Sequence, residues 1–303
     1  NPEQTFNLSS PIPTTDQIIC ESNSITTTTY EFGNGATSAV PSGLPLGLDI
    51  AIENNLISIS GTPTVDVDVP TTYTYSITTV DEYCVPKVEI GYITLLPAPE
   101  AYFTDAAVQG IRSQEISICN GSTINDLSIS FTNTPGLEIN DSDIPADTDN
   151  LIFTQSIIQR QETTIEITGT SSSVGEIYKI IVKEIGANDK AFSYTTTLTN
   201  RSAEQIAQGL FDVIDNDSNT PFEAAVDGSS ISLFNTTSST VFSTKIISVG
   251  EASMSISNSQ PVKGVYLITG TVSLSSTITS FTLDFKTSDD SNSLVCDQDE
   301  LSV

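Results

Sequence analysis

Histidine and tryptophan are absent from this chain of 303 residues, methionine occurs once, and lysine and arginine together number ten against 38 acidic residues. Without imidazole there is no His-based triad, no His-ligated metal and no imidazole acid–base pair. The formal charge is −28, and the few cations are scattered, with Lys87, Arg112, Arg160, Lys179, Arg201, Lys245 and Lys286 among them. Such a surface repels nucleic acid and anionic lipid. Neither a run of 18 apolar residues nor a signal-type opening is present, and the chain is expected to be a piece of a longer protein. Cysteine is scarce as well, with only Cys20, Cys84, Cys119 and Cys296. Cys20 (QIICESNSI) and Cys119 (EISICNGSTI) share one local pattern, while Cys84 and Cys296 each follow a strand pair. Two openers and two closers predict the bridges Cys20–Cys84 and Cys119–Cys296, the alternative being four reduced, buried thiols. Each closed loop would stabilise by roughly 4–5 kcal/mol in the chain-entropy model, and bridges would place the protein outside the cytoplasm.

What the chain has in abundance is Ser, Thr, Ile and Val in alternation. LISISGTP (Leu56 to Pro63) returns as TTIEITGT (Thr163 to Thr170) and as VYLITGT (Val265 to Thr271). Apolar side chains fall two apart in each copy, the period of a half-buried strand, and a glycine ends each run (Gly61, Gly169, Gly270). A second alternating strand follows: Tyr73, Tyr75, Ile77, then Tyr178, Ile180, Val182, then Phe281, Leu283, Phe285. The opening NPEQTF is echoed by APEAYF, with Pro2, Glu3 and Phe6 matching Pro99, Glu100 and Phe103. One β domain is therefore expected over 1–98, and a second begins near residue 99.

The second region is interrupted by the one convincing helix, Ala203 to Asp215. Ser202 and Gln205 form a capping box, and Ile206, Leu210, Val213 and Ile214 make one apolar stripe. Strand patterns flank the helix on both sides, so 174–250 is expected to be an inserted α/β (ββαβββ) module. Residues 99–173 and 251–303 would then build the second sandwich. A cut into three domains, near 1–98, 99–187 and 188–303, is the alternative. The predicted fold class is mainly β: tandem immunoglobulin-like β-sandwich domains, the second carrying the insert.

GLPLGL (Gly43 to Leu48), then ISISGTP, TYTYSITT, Cys84 and IGYITL resemble the immunoglobulin-like or PKD-like repeats of very large secreted bacterial surface adhesins. The composition and ICESNSI are similar to gliding-motility adhesins of the SprB kind. That resemblance implies a secreted, cell-surface location, neighbouring repeats of the same chain as partners, and an external surface or polysaccharide as target.

Few constellations carry chemistry. If the cysteines are bridged, thiol catalysis is excluded, and no pair of carboxylates is marked out from the acidic surface. Calcium is the one cofactor with candidate ligands. Asp215, Asp217 and Asn219 occupy the first ligand positions of an EF-hand-like order, but the loop lacks its glycine and bidentate glutamate. Asp141 and Asp143 lie in the acidic stretch NDSDIPADTDN, and DQDE follows Cys296. Ordinary turn chemistry explains the same residues, so no metal and no other cofactor is predicted. The expectation is a non-catalytic stalk or adhesin segment, with a carbohydrate-binding module as the second reading and a carboxylate-based enzyme as the third.

Overall fold

A computed structural model describes residues 4–80, 85–104, 123–133, 137–139, 151–184, 188–198, 201–220, 222–235, 241–271, 284–287, 296 and 300–302. The chain divides into two compact units, Asn1–Pro97 and Ala98–Val303.

In the first unit the strands are β1 (Thr5–Leu8), β2 (Asp16–Cys20), β3 (Thr28–Gly33), β4 (Ser38–Ser42), β5 (Leu48–Glu53), β6 (Leu56–Gly61), β7 (Thr71–Val80) and β8 (Val88–Leu96). They form two four-stranded sheets, ordered β1-β3-β6-β5 and β2-β8-β7-β4. Strand pairing is antiparallel throughout except between β2 and β8, which run parallel. This is the immunoglobulin arrangement, A-B-E-D packed on C-F-G, with the second strand added beside G. Alternation explains the packing: Tyr30 and Phe32 on β3 and Ile57 and Ile59 on β6 face Tyr75 and Ile77 on β7 and Ile93 and Leu95 on β8. All eight are at most 3% exposed. Each such aliphatic side chain contributes about 1.5–3 kcal/mol by leaving water. At the centre the Tyr30 and Tyr75 hydroxyls lie 3.4 Å apart, and Phe6 stacks on Tyr30 at 5.2 Å. A tyrosine pair thus links strands B and F, where antibody domains place their inter-sheet disulfide. Between β5 and β6 the chain reverses on Asn54 and Asn55, both at positive φ (50° and 65°). That conformation suits a two-residue hairpin, and asparagine tolerates it.

The second unit opens with β9 (Glu100–Phe103), β10 (Thr123–Thr132), β11 (Leu137–Ile139) and β12 (Leu151–Gln159). It continues with β13 (Glu162–Thr168), β14 (Thr170–Ser171), β15 (Ile177–Glu184), β16 (Lys190–Thr195), β17 (Arg201–Ser202), α1 (Ala203–Asp215), β18 (Phe222–Asp227), β19 (Ser230–Asn235), β20 (Phe242–Val249) and β21 (Ser253–Gln260). It closes with β22 (Lys263–Thr271), β23 (Asp284–Thr287) and β24 (Glu300–Ser302).

The sheet β12-β22-β10-β9 repeats the order β5-β6-β3-β1, and β11-β23-β24 repeats β4-β7-β8. Register agrees as well: Gly61 pairs with Leu48, and Gly270 pairs with Leu151. Both glycines hold a positive φ, 118° and 128°, which a side chain rarely adopts. Phe103, Ile129, Phe131, Ile268 and Phe285 are the buried centre of this second sandwich. By this matching β12 and β22 are its D and E strands. Where the first unit joins D to E with two asparagines, the second joins them with everything from 160 to 262.

That intervening segment has its own core. Two sheets, β18-β19-β13-β21 and β16-β15-β20, pack together with the helix. Ile165, Tyr178, Ile180, Leu210, Ile231 and Leu233 are all fully buried within it. The helix is capped as its sequence predicts: Ser202 Oγ accepts from the Gln205 amide at 3.3 Å, and Gln205 Oε1 accepts from the Ser202 amide at 3.1 Å.

Three differences from the sequence-based expectation stand out. TTIEITGT is not a third copy of the host hairpin: β13 hydrogen-bonds to β19 and β21, and Ile165 and Ile167 belong to the helix-bearing core. The module consequently extends from 160 to 262 rather than 174 to 250, and β21 belongs to it as well. Val213 is 38% exposed while Ala207 is fully buried, so the buried arc of α1 is rotated toward Ala207 and leaves Val213 at its edge. Finally, Cys20 and Cys296 are both buried and each is engaged in a disulfide. Cys84 and Cys119, their expected partners, lie outside the described residues. The described register nevertheless argues against Cys20–Cys84. Cys20 pairs with Leu96 at the downstream end of β8, whereas the Thr79 amide donates to Lys87 O (2.9 Å) at its upstream end. Roughly 30 Å of strand separates those ends, and the short link from Lys87 to Cys84 reaches about 11 Å.

Candidate functional site

The 160–262 module is joined to its host through two adjacent strands. Gln159 pairs with Lys263 in β12/β22, and Glu162 pairs with Gln260 in β13/β21. One antiparallel ribbon therefore passes from host to module, interrupted only at 160–161 and 261–262. The interruption is heavily fixed. Gln161 is 1% exposed; its Nε2 donates to Phe242 O at 2.6 Å, and its Oε1 accepts from the Phe242 amide at 2.9 Å. A buried carboxamide with both ends used is stable, whereas one left unpaired is costly. On the other strand Val262 is 2% exposed, and its carbonyl accepts from the Asn133 amide at 3.1 Å. Gln159 Nε2 donates to Pro261 O at 2.9 Å, tying one strand to the other. Arg160 completes the joint, donating to Glu223 Oε2 at 2.7 Å and lying 5.3 Å above the Phe234 ring.

A second fixed point holds the β15 side of the module. Glu176 precedes β15 and lies on the same side as Tyr178, whose hydroxyl donates to Glu176 Oε2 at 2.7 Å. The Ser173 and Glu251 amides also donate to this carboxylate, each at 3.2 Å. The Tyr178 hydrogen bond, aided by those of Ser171, Glu251 and Ser173, lowers the Glu176 pKa against the opposing effect of desolvation. Burial, with the Glu176 contact, raises that of Tyr178. These groups position one another.

The calcium candidates separate. Asp215 is the exposed last residue of α1. Asp217 Oδ1 accepts from Lys190 Nζ at 3.0 Å and from the Asn219 amide at 3.0 Å. Lys190 Nζ also donates to Asn219 O at 2.6 Å. The oxygens a cation would use thus already face an ammonium group. The Asn219 amide and Lys190 lower the Asp217 pKa, as expected for a carboxylate that caps a turn and has a cationic partner. Asp141 and Asp143 lie outside the described residues. Among the described residues no group of three or more His, Cys, Asp or Glu side chains could hold a metal ion. Nor is any helix among them long and apolar enough to cross a membrane.

Sequence reasoning found the helix cap but missed Gln161, Glu176 and Lys190. The i, i+2 spacing of Glu176 and Tyr178 was a usable signal. The partners of Gln161 and Lys190 are distant in sequence and left none.

No protein-family model matches this sequence, and no curated protein matches it. Among solved structures, a titin fragment aligns over 99% of this chain and 96% of its own length, with 8% identity and a TM-score of 0.29. The C-terminal domain of the Streptococcus agalactiae AgI/II polypeptide BspA aligns over 99% and 97%, with 7% identity and a TM-score of 0.23. Carbohydrate-binding modules of the β-sandwich superfamily align over 88% and 95%, with 9% identity and a TM-score of 0.17. Scores this low carry no argument, and the immunoglobulin-like assignment rests on the chain's own strand order.

Proposed function

We propose that this chain is a non-catalytic repeat segment of a large extracellular bacterial adhesin or stalk. Its sandwich domains extend the molecule from the cell surface, and the 160–262 module is the part displayed for adhesion. The observation that supports this most is the reuse of one sandwich: the same strand order and the same glycine corner occur twice in succession, and only the second copy carries an additional domain in a turn. A repeated scaffold with one variable turn suits spacing and presentation. Partners in this reading are neighbouring repeats and an external surface or polysaccharide, and no resident cofactor is required. Gliding along a substratum is the finer role implied by the sequence resemblance.

Binding of the purified chain to glycan arrays and to abiotic surfaces tests the proposal. Binding that is lost when 160–262 is replaced by an Asn-Asn turn supports the displayed-module reading. Selective binding to one soluble glycan would favour the carbohydrate-binding reading instead, and hydrolysis abolished by one carboxylate substitution would reject a non-catalytic role.

A further inference from the structure

We infer that tension carried along the chain bypasses residues 160–262, so the module stays folded under load for as long as its host sandwich holds. With the disulfides reduced, force enters the second unit through the chain before β9 and leaves through the chain after β24. The module is attached to that path at only two points, Gln159 and Lys263, and these are paired partners on neighbouring strands of the host sheet. While β12 and β22 remain hydrogen-bonded to each other, and β22 to β10, the two attachment points cannot separate. No end-to-end extension is then applied across the module.

The joint reinforces this arrangement. Glu162 and Gln260 continue the pairing inside the module, so its first and last strands are neighbours and would have to be unzipped from the joint inward. Gln161 holds the entering strand to Phe242 through two hydrogen bonds, and Val262 holds the leaving strand to Asn133 of the host. An insertion in a loop with separated ends would lack this protection. Insertion in the D–E hairpin turn supplies it, because the two ends of such a turn already lie side by side.

Single-molecule pulling of the full chain from its two ends, under reducing conditions, tests the inference. A Gly/Ser extension of about twenty residues placed in the exposed turn at Gly228 adds about 7 nm of contour to the module's unfolding step alone. The added length should appear in an event that follows host rupture. Leu210→Ala, which removes a fully buried side chain of the module, provides a second variant. In urea this variant's module should unfold before the host, whereas under tension the order should reverse and the force of host rupture should stay unchanged. Added contour in an event that precedes host rupture, or a lowered first rupture force in Leu210→Ala, would overturn the inference.

Discussion

Single side chains tie the two sheets of the first sandwich to each other, and segments of the module to each other, in ways that can be titrated. Burial raises the pKa of both Tyr30 and Tyr75, and for Tyr30 the Tyr75 contact raises it further. Folding therefore favours the neutral phenols. A folded pKa above the unfolded value of about 10 contributes stability that is fully present below pH 10 and is lost as the pH rises beyond it. Tyrosinate absorbance should accordingly show these two residues ionising only together with unfolding of the first unit. At neutral pH, Tyr30→Phe or Tyr75→Phe should each cost about 1 kcal/mol, and the double variant less than their sum, in urea unfolding. Glu176 has the opposite sign. Its depressed pKa contributes stability above the unfolded carboxylate value of about 4.3, which is lost as the pH falls through the folded value. Glu176→Gln should thus lower the melting temperature at pH 7, and that deficit should vanish in acid. An equal deficit at both pH values would show that charge is not what Glu176 supplies. The i, i+2 spacing of Glu176 and Tyr178 made this pair legible in the sequence, but the tyrosine pair, whose members come from different sheets, was not.

At the scale of elements, local chemistry was readable wherever an element carries its own signal. The Ser202–Gln205 box located the start of α1, and Ser202→Ala should destabilise the module by about 1 kcal/mol, measured as a shift in its urea midpoint. Alternation located most strands in the same way. It could not say which sheet each strand joins. TTIEITGT and LISISGTP look alike because both are half-buried strands ending at a glycine, yet β6 pairs within a sandwich while β13 pairs within the module. Period-two patterning reports one buried face and is silent about the neighbour. The same limit sets the expected module boundaries too far inward, because the patterns of β13 and β21 read equally well as host strands.

For the whole molecule, the placement of the insert in a hairpin turn has consequences for stability as well as for load. Replacing 160–262 with Asn-Asn, copied from the turn at Asn54 and Asn55, should leave the host sandwich folded, with β12 and β22 still paired. Amide hydrogen exchange on those strands checks this; loss of their protection would mean that the module holds the host together. Disulfide connectivity belongs to this scale too. Peptide mapping without reduction should find the Cys20 peptide in a disulfide but not joined to the Cys84 peptide, and recovery of a Cys20–Cys84 peptide would refute the register of β2 and β8.

The sequence by itself determined the β class, the helix with its cap, the doubling of a sandwich and the exclusion of imidazole chemistry, because each follows from residue type or from spacing along the chain. Only the tertiary structure decided that the insert occupies the D–E turn, that β13 and β21 belong to it, that Lys190 faces the oxygens at Asp217 and Asn219, and that Cys20 lies at the far end of β8 from Lys87. All of these depend on which strands lie side by side, and pairing over long separations is set by the packing of whole faces, which no local pattern records.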